Sequence, residues 1–164
     1  MLMIMVFGLL QDHTLAAPPD KPIIGWIENV QILPENLYLP AKIDTGADHS
    51  SINVTNPEEF LKGEKQWIRF TIPLEDDESV TLERPIQRFA YIKRKGADKQ
   101  KRPVVLFDLC LGTMLNKNVL VNLANRTGFK YPMLIGRSFL KRSAIVDSAL
   151  TYTRQPSCAG QLPH

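Results

Sequence analysis

The sequence predicts an all-β domain with one short helix. Short runs rich in β-branched and aromatic residues recur along the chain, bounded by clusters of Pro, Gly, Asn and Asp. One of them, Gln66 to Leu74, alternates Ile68, Phe70 and Ile72 with Trp67, Arg69 and Thr71, the two-residue period of a half-buried strand. Stretches with a helical period are few.

Length and composition narrow the class. A chain of 164 residues is long enough for one domain with a real core, and 44% apolar with 23% charged residues is the balance of a globular protein. A net charge of +3 is too small to suggest nucleic acid, and no zinc-finger or RNA-binding signature is present. Cys110 and Cys158 make neither a disulfide framework nor a zinc pattern; one bridge in an exported protein and two unrelated thiols both fit.

Met1 to Leu10 is almost continuously apolar, and Leu15-Ala16-Ala17 supplies small residues before Pro18-Pro19. Residues 1–20 therefore read as a signal peptide or leader cleaved near Ala17, which makes the protein periplasmic or secreted; a cytoplasmic protein is the alternative. The apolar run is too short to span a bilayer. The domain is expected over 21–153. Ile23 to Leu33 is strand-like, Pro34-Glu35-Asn36 a turn, Leu37 to Ile43 a second strand and Ser50 to Val54 a third. Asn56-Pro57-Glu58-Glu59 has the cap and first-position Pro of a short helix. Glu75-Asp76-Asp77-Glu78 lacks the ligand spacing of a calcium loop and reads as a solvated hairpin tip. Ser79 to Ile92 is one long strand or two short ones. Lys93 to Arg102 holds six basic residues around Gly96, a polar hairpin or an attractor of acidic substrate. Pro103 to Leu111 and Asn118 to Leu123 are further strands, Ser143 to Thr153 is a final strand or hairpin, and 154–164 reads as a flexible tail. The glycosylation patterns at Asn53 and Asn125 read as turns.

The chemistry concentrates in Pro40 to Ile52. Asp44-Thr45-Gly46-Ala47-Asp48 puts a carboxylate at the end of an apolar strand, before a turn that Gly46 permits. Near the other end, Leu134-Ile135-Gly136-Arg137 reads as a buried strand that passes close to other backbone and then turns. Together, in this order and between strands, the two motifs resemble the retropepsins, the single-lobe aspartic proteases. The fuller strings, A-K-I-D-T-G-A-D-H-S-S-I from Ala41 to Ile52 and L-I-G-R-S-F-L from Leu134 to Leu140, resemble most a bacterial group often labelled ATP-dependent zinc proteases and linked to ATP-grasp glutamate ligases. The resemblance implies a closed acid-protease barrel with its helix after Gly136, and insertions between Asp44 and Ile135. It implies that Asp44 is catalytic, that Thr45 locks the turn through its hydroxyl, and that Gly46 admits close backbone approach. It also implies that Ala47, Asp48, Leu134, Ile135, Gly136 and Arg137 support the site, with Arg137 paired to Asp48. The sequence supports neither half of the label. There is no phosphate-cradling glycine loop, and His13, His49 and His164 are scattered, so no cofactor and no metal are expected.

Peptide hydrolysis by this route needs two adjacent carboxylates sharing one proton. One Asp-Thr-Gly per chain implies a two-fold dimer with Asp44 from each protomer at the axis. Asp147-Ser148-Ala149 is a distant second candidate, with Ala where Gly is required. The expected function is an aspartic peptidase acting on peptide or protein substrate, with glutamate-rich tails implied by the ligase association. A non-catalytic periplasmic module that binds a peptide or partner is the alternative. Pro73 to Ser79 and Arg94 to Arg102 are the two candidate flaps over the substrate.

Overall fold

The computed structural model describes residues 20–94 and 97–158, without the side chains of 93–98. The expected signal peptide, His13, His164 and Gly96 lie outside the described residues. Strand β1 (Ile23–Leu33) turns through Pro34-Glu35-Asn36 and returns as β2 (Leu37–Ile43). There follow β3 (Ser50–Asn53), β4 (Thr55–Lys62), β5 (Lys65–Pro73), β6 (Ser79–Pro85), β7 (Arg88–Arg94), β8 (Ala97–Leu111), β9 (Met114–Ala124) and β10 (Met133–Ile135). Helix α1 (Arg137–Leu140) and β11 (Ile145–Thr151) close the order.

Six strands form a closed barrel, β1-β2-β10-β3-β9-β8, because Gln31 to Leu33 of β1 pair with Asp108 to Cys110 of β8. Closure removes the unpaired edges that an open sheet would expose. Both closing strands are long enough to do a second job. The first half of β1 carries β11 in parallel, and the first half of β8 carries β7 antiparallel. The fold is all-β and single-lobed, with its one short helix directly after Gly136.

The alternation in Gln66 to Leu74 has a tertiary reason. β4, β5 and β6 make a separate three-stranded sheet, and Ile68, Phe70 and Ile72 are fully buried against the barrel core. Phe70 meets Phe107 of β8 edge-on at 6.3 Å. Each such side chain contributes about 1.5–3 kcal/mol by leaving water, enough to fix this sheet on the barrel. The opposite face carries Arg69 between Glu58 and Glu83, exposed ion pairs that add little.

Two expectations need correction, and one open alternative is decided. Asn56-Pro57-Glu58-Glu59 starts no helix: Glu58 to Lys62 pair with Arg69 to Lys65 of β5, and the ladder outweighs the local cap signal. Asn56 takes a φ of 50° where the register shifts between Thr55 and Glu58, which accommodates Pro57. Ser79 to Ile92 is two strands in different sheets, the second of the two readings: Ile86 N–H donates to Gln66 O at 2.9 Å, and Gln87 N–H to Val104 O at 2.8 Å, so the chain crosses over between Ile86 and Gln87. The tail is not loose over 154–158, since Cys158 is bonded to Cys110 and Ser157 N–H donates to Gly112 O at 2.7 Å. That also resolves the two cysteines as one bridge.

Candidate active site

β2 and β10 lie side by side in parallel, Leu134 opposite Lys42 and Ile135 opposite Ile43. Both isoleucines are buried in the core, which anchors the strands up to their last residue. Asp44 extends this pairing, its N–H donating to Ile135 O at 2.9 Å. The two motifs, far apart in sequence, thus meet at one end of the barrel.

Beyond Asp44 the chain turns tightly. Ala47 N–H donates to Asp44 O at 3.3 Å, and Gly46 N–H donates to Asp44 Oδ1 at 2.9 Å. A Cβ on Gly46 would come within 3.2 Å of that same oxygen. Glycine is therefore needed less for backbone freedom than for room beside the carboxylate. Thr45 is exposed, and within the chain its carbonyl, not its hydroxyl, is engaged among the described residues.

Arg137 braces the turn. Its Nη1 donates to Thr45 O at 3.0 Å and to Gly46 O at 2.8 Å, while Nη2 donates to Asp48 Oδ1. The planar guanidinium suits this fan of acceptors, where a lysine would satisfy fewer of them. The backbone repeats the link, with Arg137 N–H on Ala47 O at 2.8 Å and Ser138 N–H on Asp48 O at 2.9 Å. Gly136 passes so close to His49 that a Cβ would lie 2.6 Å from its carbonyl carbon. Gly136 N–H donates to the Ser50 hydroxyl oxygen at 3.2 Å.

The Asp44 carboxylate is 26% exposed, with Oδ2 3.8 Å from Lys42 Nζ. One oxygen is fixed by an amide and the other makes only the longer contact with Lys42 among the described residues, which suits a group that accepts and returns a proton. Asp147 lies on β11, separated from β2 by β1, and its carboxylate accepts from Ala149 N–H at 2.8 Å. It does not join Asp44. Among the described residues no group of His, Cys, Asp and Glu could hold a metal ion. A cavity of about 630 Å³ between α1 and β9 is lined by His49, Val119 and Phe139 but not by Asp44, so it is not where this chemistry would occur.

Four contributors escaped the sequence reading. Lys42 and Ser50 stand inside Pro40 to Ile52, but nothing in that stretch assigns them a partner. His49 Nε2 accepts from Arg88 Nη2 at 3.1 Å, joining the Asp44 loop to the base of β7. Arg126 reaches Ser51 from the turn after β9. Partners this distant are set by strand register, which no local pattern displays.

A family model for RimB-like proteins, described as retropepsin-like aspartic endopeptidases, matches residues 23–157. The chain belongs to this family. Two probable alpha-L-glutamate ligases are similar to parts of it. That of Desulfotalea psychrophila is 31% identical over 118 residues, 68% of this chain and 25% of the ligase. That of Parasynechococcus marenigrum is 30% identical over 112 residues, 66% of this chain and 24% of the ligase. The chain spans about a quarter of the length of these curated relatives. A crystal structure of a Legionella pneumophila protein of unknown function has 34% identity and a TM-score of 0.70, over 83% of this chain and 100% of that one. The RimB-like family supplies the barrel and the description as endopeptidases; the ligases share a region of this chain.

Proposed function

We propose that the chain is an aspartic peptidase that works as a homodimer, with Asp44 of each protomer meeting at the two-fold axis. The observation that carries this is the single Asp44 carboxylate, held by Gly46 N–H on a turn that Arg137 braces. Two carboxylates at hydrogen-bond distance cannot both ionise, so the pair shares one proton and titrates as a unit. The charged member takes a proton from water as its oxygen attacks the peptide carbonyl carbon, and the protonated member gives its proton to the carbonyl oxygen. Collapse of the tetrahedral intermediate breaks the C–N bond and returns a proton to the leaving amine. Thr45, exposed beside Asp44, would link the two turns across the axis.

Glutamate-rich tails are the substrate we favour. Lys42, Arg102 and Arg126 make the surroundings of Asp44 basic, and relatives that match part of this chain are named as glutamate ligases. The basic hairpin of β7 and β8, which belongs to the barrel sheet, is the flap we favour over the β5–β6 turn. The Cys110–Cys158 bridge supports a periplasmic or secreted location.

Sedimentation of wild type and Asp44→Asn, with cleavage of glutamate-rich and mixed peptides, tests the reading. A dimer whose cleavage falls by at least about a thousandfold in Asp44→Asn is expected, since the dyad performs both proton transfers. A strict monomer, inert on every peptide, would leave a binding module with a retropepsin fold.

A further inference from the structure

The row of residues beside Asp44 points to one more functional side chain. Laterally paired residues on a sheet share a face, as do residues two apart along a strand. Lys42, Leu134, Ser51, Asn122 and Val104 are successive partners across β2, β10, β3, β9 and β8. Lys42 shares its face with Asp44, as their 3.8 Å contact confirms. Ser51 and Asn122 therefore lie on the same face as the carboxylate.

Arg126 is fixed on that face. Its Nη1 donates to Ser51 Oγ at 3.2 Å and its Nε to Tyr131 O at 3.4 Å, while the Phe129 ring lies 4.8 Å from its guanidinium carbon. Its backbone N–H donates to Asn53 Oδ1 at 2.7 Å. No described carboxylate comes within ion-pair distance of it. Burial, and after it the charge of Arg102, pull its pKa below the ordinary range, and Asp44 opposes them. A half-buried guanidinium in that state gains by meeting an anion. Arg102 reaches the same side, two residues before Val104 on β8. Asn122, 6% exposed, leaves a buried Oδ1 without a described partner beneath this row.

We infer that Arg126 is a specificity-determining residue, its guanidinium taking the carboxylate of an acidic substrate side chain next to the bond held at Asp44. The inference rests on the peptidase reading for its purpose but not for its test, which reads binding. Labelled tetraglutamate and tetraglutamine peptides are titrated into wild type, Asp44→Asn, Arg126→Gln and Arg126→Lys at low and raised salt.

Wild type and Asp44→Asn should both prefer tetraglutamate, and the preference should weaken with salt. Arg126→Gln should bind tetraglutamate about 10- to 100-fold more weakly with tetraglutamine unchanged, and Arg126→Lys should fall between. Equal loss for both peptides, an unchanged tetraglutamate affinity, or no preference in wild type would overturn the assignment. If Arg126→Gln does not fold, Ser51→Ala carries the test. Freeing the guanidinium should weaken tetraglutamate alone by about threefold, as one lost hydrogen bond would, and no change overturns the assignment. Loss of cleavage in Asp44→Asn with binding intact bears on the peptidase reading separately.

Discussion

His49 Nε2 must be an acceptor, because the Arg88 guanidinium it meets can only donate, and the ring proton therefore sits on Nδ1. That nitrogen is buried and has no partner among the described residues. Burial first, and then the Arg88 charge, lower the imidazole pKa. Protonation would set a cation against Arg88 at the end of the Asp44 loop, just before β3. Between the lowered folded pKa and the ordinary value of about 6.5, the unfolded chain holds more protons than the folded one. His49 therefore supports the fold fully above about 6.5, and the support is lost as pH falls through the folded pKa. From pH 7 to 5 the melting temperature of wild type should drop more steeply than that of His49→Gln, which cannot titrate. Parallel profiles would show that His49 is not charged at the expense of the fold.

The junction of β10 and α1 holds the Asp44 turn in place. Arg137 can reach three acceptors only because Gly136 brings its backbone against His49. A methyl group there would meet backbone atoms, which cannot swing aside as a flexible side-chain tip can. Gly136→Ala should cost about 1–3 kcal/mol or more, read as a lowered urea midpoint. It should also reduce peptide cleavage, because the turn carrying Asp44 loses its brace. A midpoint equal to wild type would mean that the strand shifts freely and the close approach is unimportant.

For the molecule as a whole, the tail matters more than its composition suggests. Thr153 and Arg154 N–H donate to the buried Glu28 carboxylate at 3.1 and 3.3 Å, and the Thr153 hydroxyl donates at 2.6 Å. Four residues on, Cys158 closes a loop to Cys110 with a sequence separation of 48, and both sulfurs are fully buried. By chain entropy such a closure contributes about 4 kcal/mol. The Cys110→Ser, Cys158→Ser double variant should lose an amount of that order in urea unfolding, and reductant should do the same to wild type. Equal stability with and without reductant would mean that Glu28 alone holds the tail.

Much of this was legible in the sequence, for a local reason. Strand alternation, the turn at Pro34-Glu35-Asn36 and the close passage at Gly136 each follow from which residues tolerate which backbone. What it could not display was pairing at a distance. The β4 segment carries a helix signal and is a strand because β5 lies beside it. Arg126 looks like any loop arginine until β3 and β9 align and bring Ser51 beneath it. Glu28 reads as a surface acid until the tail folds over it. The sequence by itself determined the all-β class and the Asp44 and Gly136 motifs, because these depend on neighbours along the chain. Only the tertiary structure decided the barrel closure, the disulfide and the cations around Asp44, because these depend on register between strands that no short stretch encodes.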